Sequence, residues 1–354
     1  MSNAGPTHHS RVLSKYSIIE CSTENSATWD SFVKRLSGNY CQLFGWKHVF
    51  ERTYGLQTRY LALCSGSTWL GILPVAIMPH FPGSAVKAVS LPYCNYGGLL
   101  VAESVDADIL KSEAIKYLTS VGIDKVELRD IAPGLEESVE VTMVLTLPES
   151  SELLWKQIGD KARNQVRKAL KSGLTLTWGR EQCDDLYAIY ANNMARLGTP
   201  VHSPEFVREI LSNFPETADV LTVRLDDMAI GAMLVIKHGD TWSDPMASCL
   251  SEFNKLNPNM LMYWEALRAA SNAGAKSFDF GRSRKNSGTF RFKKQWGACE
   301  IALNYHSYKN GALLASASTQ FYRGQSASRL ASVWQKLPGF IQMRLGPVVR
   351  RWLP

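Results

Sequence analysis

One succession of secondary-structure signals occurs twice along the chain, and this limits the possible folds more than any other sequence feature. In the first half, a helical pattern at Trp29–Leu36 precedes a hairpin with strands at Thr58–Leu63 and Trp69–Met78. A helix at Ser104–Ser120 and a strand at Lys125–Arg129 follow. The order helix, hairpin, helix, strand predicts an α+β unit.

The second half repeats this order with one additional helix. Its predicted elements are Glu152–Leu170 and Asp184–Leu197 as helices, Val220–Leu225 and Ala229–Ile236 as a hairpin, Asn259–Asn272 as a helix and Ser277–Phe280 as a strand. A chain of 354 residues is long enough for two cores. We therefore expect a duplicated α+β unit, with one domain at residues 16–150 and a second at residues 151–310.

The two ends of the chain differ from the body. Residues 1–15 begin with Met1-Ser2-Asn3-Ala4, which is typical of a cloning remnant, and they are predicted to be a tag and disordered. Residues 311–354 form a basic, amphipathic tail in which Leu330, Val333, Trp334 and Leu337 make one apolar stripe. We expect this tail to pack on the first domain; the alternative is an interfacial segment that lies on anionic lipid.

Composition and cysteine usage exclude several classes of protein. A net charge of +7, with 45% hydrophobic and 20% charged residues, is typical of a globular chain and not of a disordered one. The seven cysteines lie far apart and form no Cys-x-x-Cys pair, so neither a disulfide framework nor a metal site is indicated. No run approaches the roughly 18 apolar residues of a membrane-spanning helix. A cytoplasmic protein is predicted, with contact at the inner face of the membrane as an alternative.

Several catalytic signatures are missing from the sequence. It contains no Gly-x-x-x-x-Gly-Lys-Ser/Thr phosphate loop, no Gly-x-Gly-x-x-Gly, no Gly-x-Ser-x-Gly elbow and no His-Glu-x-x-His. Nucleotide hydrolysis, hydride transfer, serine hydrolysis and zinc peptidase chemistry therefore lack their usual sequence evidence.

The clearest candidate for a functional site is the segment Gly281–Gly297. It contains six cations within 13 residues: Arg282, Arg284, Lys285, Arg291, Lys293 and Lys294. Such a cluster is self-repelling unless an anion is bound. Phe290 and Phe292 are predicted to begin a strand that holds the charges on a rigid, half-buried sheet, which favours a preorganised electrostatic site. A solvated basic hairpin is the alternative.

Two further segments are candidates for binding. Arg163, Arg167 and Lys171 recur at i, i+4 and i+8 on one helical face, where like charges disfavour the helix and a phosphate would relieve them. The alternative is a solvated face. In Ser90–Leu99, two tyrosines and an asparagine precede paired glycines, which permit close backbone approach; an ordinary tight loop is the alternative there.

Five of these motifs together resemble the FemAB-like proteins, most of all the branch associated with exosortase/PEP-CTERM exopolysaccharide systems. The matching segments are Leu91–Gly98, Arg163–Lys168, Leu197–Pro200, Phe278–Ser283 and Phe292–Gly297, and the resemblance covers Trp29–Tyr308. It implies tandem acetyltransferase-like (GNAT) domains with mixed sheets flanked by helices. The wider family includes FemX-type aminoacyltransferases, which build peptidoglycan cross-bridges from aminoacyl-tRNA.

The resemblance also implies roles for individual residues. A lysine in a Phe-Lys-x-x-aromatic motif is thought to stabilise the oxyanion of a tetrahedral intermediate, which points to Lys293, with Lys294 as its near rival. Asp279 is the candidate for accepting a proton from the amine, or else it braces Arg282. The predicted substrate-binding residues are Arg163, Arg167 and Arg282 for a phosphate or carboxylate, and Asn95, Tyr96 and Trp296 for a sugar or acyl chain.

The expected function is N-acyl or aminoacyl transfer to an amine of a cell-envelope or exopolysaccharide precursor. No heptads support the coiled-coil arm of the staphylococcal-type members, and no Arg/Gln-x-x-Gly-x-Gly/Ala loop for coenzyme A is present. The donor therefore stays open between aminoacyl-tRNA and acyl-coenzyme A, with no bound cofactor expected. The expected partners are an anionic or lipid-linked glycan substrate, tRNA, and a membrane surface at the tail. The alternatives are a coenzyme A-dependent acetyltransferase and a non-catalytic basic module for RNA or a membrane partner.

Overall fold

A computed structural model describes residues 16–353 apart from residues 81, 104, 133, 136, 137 and 315–330. The helices are α1 Ser26–Arg35, α2 Gly45–Tyr54, α3 Ala107–Ser120, α4 Ser151–Gln157, α5 Asp160–Leu170, α6 Cys183–Leu197, α7 Pro204–Asn213, α8 Pro258–Asn272, α9 Gly288–Lys294 and α10 Gly339–Arg350. The strands are β1 Ser17–Glu20, β2 Gln57–Ser65, β3 Thr68–Ile77, β4 Lys87–Val89, β5 Leu100–Val101, β6 Lys125–Ile131, β7 Glu140–Thr146, β8 Leu174–Trp178, β9 Ala218–Leu225, β10 Met228–His238, β11 Thr241–Cys249, β12 Ser277–Arg284, β13 Cys299–Lys309 and β14 Ala312–Leu313.

The strands form one continuous sheet that runs through both halves of the chain. Its order is β1-β2-β3-β4-β6-β13-β7-β12-β11-β10-β9-β8, with β5 beside β3 and β14 beside β13. Strand β13 joins the halves, since Cys299–Ala302 pair with β7 and Leu303–Lys309 pair with β6. Strand β7 itself pairs with β12. The sheet thus exchanges strands across the boundary predicted at residue 150.

The helices form a common core between the two halves. Trp29 and Trp46 of the first half and Phe206 and Phe214 of the second belong to one buried cluster. The ring centroid of Trp46 lies 5.4 Å from that of Phe214 and 6.3 Å from that of Phe206. Burying a large aromatic side chain contributes about 1.5–3 kcal/mol. The shared aromatic cluster therefore stabilises the packing of the two halves against each other.

The predicted duplicated unit is confirmed, and the hairpins appear where turn residues were found. In the second hairpin, Asp226 has φ +51°, the left-handed conformation that a tight turn requires and that aspartate tolerates. The helix predicted at Glu152–Leu170 is instead two helices, α4 and α5, because Ile158 and Gly159 are extended, with ψ of 144° and 156°. Apolar residues recur at helical spacing on both sides of Ile158 and Gly159, so the apolar pattern did not reveal the break between α4 and α5.

The strand predicted to begin at Phe290 is wrong, because these residues form helix α9. The Ser287 hydroxyl accepts a hydrogen bond from the amide of Phe290 at 3.1 Å and caps the helix. Helical spacing places Phe290 and Lys293 on the buried side, while Lys294 is exposed. The aromatic and cationic residues therefore alternate between core and solvent with a helical period.

The tail packs on both halves and not on the first domain alone, which corrects the expectation above. Gly346 of α10 lies against Val201, and Arg350 donates from Nε to Nε2 of His202 at 3.1 Å. In the first half, the Tyr93 hydroxyl donates to the carbonyl of Arg351 at 3.0 Å. A glycine at 346 permits this approach, since a Cβ there would lie 2.9 Å from Val201 Cγ1. Residues 1–15, Ser104 and Leu330, which earlier predictions invoked, lie outside the described residues.

Candidate functional site

Two cavities lie where the halves meet. The larger has a volume of about 800 Å³, and the smaller about 140 Å³. Tyr40 lines both cavities, while the consecutive residues Asn95 and Tyr96 line the smaller and the larger one respectively. On β11, Ser243 faces the larger cavity and Pro245 the smaller. Asp244 lies between these two residues on β11, but it is not itself a lining residue of either cavity.

Strands β11 and β12 separate beside Asp244. Their parallel pairing covers Thr241–Ser243 on β11 and Ser277–Asp279 on β12. Beyond Asp279, β12 bulges against β7, and Gly281 takes the positive φ of +72° that glycine readily adopts. A parallel pair that opens leaves backbone carbonyls without ladder partners, so polar groups must enter the opening to satisfy them.

The Lys293 ammonium supplies donors to this opening. Its Nζ donates to the carbonyl of Gly281 at 3.0 Å and to that of Arg282 at 2.9 Å, and the residue is only 7% exposed. Burial lowers the pKa of Lys293 below its usual value, while the charges of Asp244 and Asp279 act in the opposite direction. An ammonium has three N–H groups, so one more can be donated to an oxygen that develops negative charge.

Asp244 is the most perturbed carboxyl group of the site. Burial raises its pKa from 3.8 to about 7, and the charge of Lys293 partly offsets this rise. The Tyr263 hydroxyl donates to Oδ2 at 2.5 Å. Oδ1 is buried and has no hydrogen-bond partner among the described residues. A carboxyl group with a free oxygen and a pKa near neutrality is suited to accept a proton.

Asp279 is engaged by three donors. Its Oδ1 accepts from the Thr142 hydroxyl at 2.6 Å and from the Gly281 amide at 2.8 Å, and its Oδ2 accepts from the Tyr96 hydroxyl at 2.6 Å. Burial raises the pKa of Tyr96, so this phenol stays a donor. Both oxygens of Asp279 are therefore occupied, and its Oδ2 holds the Tyr96 hydroxyl in place.

Asn95 and Arg282 also lie at the junction of the halves. A Cβ on Gly281 would lie 2.7 Å from Nδ2 of Asn95, so only glycine allows this approach. The Tyr305 hydroxyl donates to the Asn95 carbonyl at 2.6 Å. Arg282 lines the smaller cavity together with Arg129 and Arg350. Three arginines therefore line the smaller cavity, and of these only Arg282 was predicted from the sequence as a binding residue.

Trp296 is not the cavity wall that the sequence predicted. Its side chain is 0% exposed and packs among Tyr263 and Phe292, with ring centroids 6.5 and 6.4 Å away. Lys294 is exposed, and its Nζ lies 5.4 Å from the centroid of the Phe290 ring. Of the two neighbouring lysines, only Lys293 reaches the strand opening through the contacts described above.

Arg163 and Arg167 do not form the predicted anion site. Nη1 of Arg163 donates to the carbonyls of Trp155, Lys156 and Ile158 at 3.0, 3.2 and 2.8 Å, which caps the carboxyl end of α4. The Arg167 guanidinium lies 5.3 Å from the centroid of the Trp155 ring. Neither residue lines the two cavities. Their spacing on α5 places both side chains against α4, at a break between two helices that the sequence did not reveal.

An Arg163→Ala variant is expected to lose about 1–2 kcal/mol of unfolding free energy, because three carbonyls at the end of α4, two of them partly buried, lose charge-assisted hydrogen bonds. Its KM for both substrates should equal that of the wild type. Urea denaturation and steady-state kinetics measure the two quantities, with the exposed Lys168→Ala on the same helix as the control. A large rise in KM at unchanged stability would restore Arg163 as a substrate-binding residue.

Asp244, Tyr263 and Arg129 were missed from the sequence. The available signal was a charged residue within the β-rich segment Thr241–Cys249, flanked by Ser243 and Pro245. Such a residue reads equally well as the exposed member of a half-buried strand. Its burial depends on helix α8, which brings Tyr263 onto it from 19 residues away. The described residues contain no group of three or more His, Cys, Asp or Glu suited to a metal ion.

Comparison with known proteins identifies the fold. Residues 160–294 match the model of the acetyltransferase (GNAT) domain. The crystal structure of FemX superimposes with a TM-score of 0.65 at 15% identity, covering 87% of this chain and 99% of that one. A tandem GNAT protein from the clavulanic acid biosynthesis pathway gives 0.52 at 10% identity, covering 83% and 98%.

A third similar structure is the C-terminal domain of a putative lysylphosphatidylglycerol synthetase from Agrobacterium fabrum. It has a TM-score of 0.54 at 12% identity and covers 88% of this chain and 96% of that domain. No curated protein matches the sequence. The chain therefore has a tandem GNAT-like fold, with a GNAT-type acetyltransferase domain in its second half.

Proposed function

We propose that the protein is an N-acyltransferase that moves an acyl or aminoacyl group onto an amine at the opening between β11 and β12. One observation carries this proposal. Lys293 and Asp244, a buried cation and a buried carboxyl group with a pKa of about 7, interact electrostatically at the opening between β11 and β12, where β11 contributes Ser243 to the larger cavity and Pro245 to the smaller. Two substrates bound in the adjacent cavities would lie on either side of this strand, which suits a transfer reaction.

The chemistry follows from the groups present. The amine attacks the carbonyl carbon of an acyl ester or thioester, so a C–N bond forms and negative charge develops on the carbonyl oxygen. The Lys293 ammonium donates its third N–H to that oxygen. Asp244 Oδ1 takes the proton from the attacking nitrogen. The C–O or C–S bond then breaks, and the proton passes to the leaving oxygen or sulfur.

The larger cavity is the better candidate for the acceptor. It is lined by Lys34, Lys111, His238 and His306 as well as by Tyr96. Asp130 and Asp240 line the same cavity, and burial lowers the pKa of His238 and of His306, so Lys34 and Lys111 are the groups that would hold an anionic molecule. This supports an acceptor such as a phosphorylated or lipid-linked cell-envelope or exopolysaccharide precursor, with the reaction on the cytoplasmic side. The exosortase-associated setting rests on the sequence resemblance alone.

The donor remains a choice between aminoacyl-tRNA and acyl-coenzyme A. The turn between β11 and α8, Leu250–Asn257, contains no glycine. Backbone amides that cradle a pyrophosphate usually come from a glycine-rich loop at a helix start. This disfavours coenzyme A as the donor, and an aminoacyl ester is the other donor to be tested.

The proposal is tested with donors of both classes and hydroxylamine as the amine probe. Purified protein is incubated with radiolabelled aminoacyl-tRNA or acetyl-coenzyme A, and the hydroxamate is measured. We expect enzyme-dependent hydroxamate formation from aminoacyl-tRNA that is abolished in the Lys293→Met variant and retained in Lys294→Met. Transfer from neither donor, with no binding of either by calorimetry, would contradict the proposal. Salt-sensitive binding of RNA without transfer would instead favour a non-catalytic basic module.

A further inference from the structure

Helix α10 has an exposed face that combines apolar and basic side chains. Phe340 is 74% exposed, Val348 61% and Met343 47%. Arg344 is exposed on the same helix, and Arg351 is exposed where the helix ends. Positions 340, 343, 344, 348 and 351 recur at three- and four-residue spacing, so these side chains share one side of the helix.

The opposite side of α10 is fixed to the body. Gln342 and Gly346 are buried, and Gly346 contacts Val201. Arg350 donates to His202, and the backbone of Arg351 accepts from Tyr93. The exposed face is therefore held in a defined orientation by contacts to both halves of the protein.

Charge complementarity identifies what this face can bind. Residues 311–354 contain six cations and no aspartate or glutamate. The cations are Arg323, Arg329, Lys336, Arg344, Arg350 and Arg351. Apolar side chains flanked by arginine and lysine enter the boundary between headgroups and acyl chains, while the cations attract anionic lipid. A protein partner of ordinary composition would not require the complete absence of acidic residues.

We propose that α10 docks the protein on an anionic membrane surface through the face formed by Phe340, Met343, Arg344, Val348 and Arg351. The helix lies in the plane of the interface and does not cross it. Among the described residues, no helix combines the length and apolar content that a membrane span requires. This proposal does not depend on the proposed acyl transfer.

Docking through α10 would also orient the smaller cavity. Arg350 lines that cavity from the end of α10, and Arg282 and Arg129 line it from the sheet. The cavity therefore lies beside the docking helix, within reach of a molecule whose polar head projects from the bilayer.

The test is sedimentation of the full chain with vesicles of phosphatidylcholine alone or with 30% phosphatidylserine, a composition of the kind that basic segments bind. We expect wild-type protein to bind the anionic vesicles at least tenfold more tightly than the neutral ones. Phe340→Ser combined with Val348→Ser should reduce this affinity by on the order of tenfold. Arg344→Gln should reduce it about fivefold.

Matched controls are available on other surfaces. Leu170 and Met228 are 56% and 52% exposed, so Leu170→Ser combined with Met228→Ser removes apolar surface elsewhere. Lys168→Gln removes an exposed charge from α5. These variants should bind vesicles as the wild type does. Melting temperatures and circular dichroism show whether each variant is folded.

Three outcomes would overturn the proposal: no binding to anionic vesicles, binding that is equal in the α10 and control variants, and binding that ignores lipid charge. A concentration-dependent dimer in sedimentation velocity that the Phe340 and Val348 substitutions abolish, without vesicle binding, would also overturn it, since the face would then contact a second copy.

Discussion

Replacing Lys293 with methionine is expected to reduce acyl-transfer turnover by about 10²–10³-fold, the usual cost of removing one donor from an oxyanion site. Methionine keeps an unbranched side chain of similar length but lacks the ammonium. The substrates should still bind, because neither cavity loses a lining residue. Single-turnover kinetics and substrate binding by calorimetry measure the two effects separately.

The Lys293→Met variant also loses stability, because the Gly281 and Arg282 carbonyls lose their donor. Each unsatisfied buried carbonyl costs about 1–3 kcal/mol. Assays are therefore compared at a temperature where circular dichroism shows the variant to be folded. Lys294→Met is the matched control, since it removes an exposed ammonium one residue away. If folded Lys293→Met retains wild-type turnover, Lys293 serves the fold and not the reaction.

The Asp244→Asn variant is expected to lose turnover by about 10²–10⁴-fold, the range for loss of a general base. In the wild type, kcat/KM should rise with pH through about 7 and level off above it, because the base must be ionised to accept a proton. The residual rate of the variant should lack this rise. A pH–rate profile on both proteins measures the effect, with the exposed Asp227→Asn as the control.

The same substitution, Asp244→Asn, is expected to raise the free energy of unfolding at pH 8 although it lowers turnover. The pKa of Asp244 is raised from 3.8 to about 7 in the folded protein, so between these values the folded state holds more protons than the unfolded state. The contribution of Asp244 therefore makes the unfolding free energy fall as pH rises from about 4 to about 7. Asp244→Asn removes that contribution and should be more stable than the wild type at pH 8. Equal pH dependence in both proteins would contradict the assignment.

A large part of the architecture was predictable because its signals are local. The hairpin formed by β9 and β10 was marked by two apolar runs separated by Asp226 and Asp227. Helix α8 was predicted at Asn259–Asn272 and spans Pro258–Asn272. Helices α2 and α7 were missed; their apolar faces contact each other and not only the sheet, so each depends on a partner from the other half.

The candidate site was predictable only in part. Lys293 was selected from a motif, and the structure places it at the strand opening. Arg163 was selected because cations recur at i, i+4 and i+8, but this spacing shows only which face of a helix a residue occupies. Whether that face meets a cavity or the end of another helix depends on the break at Gly159.

The order of elements and the identity of the lysine-bearing segment follow from the sequence by itself, because periodicity, turn residues and short motifs act over a few neighbouring residues. The exchange of β7 and β13 between the halves, the burial of Asp244 and the position of its strand beside two cavities were decided by the tertiary structure. Strand pairing and desolvation join residues that are far apart in the chain, and the ionisation of a carboxyl group depends on what surrounds it in space.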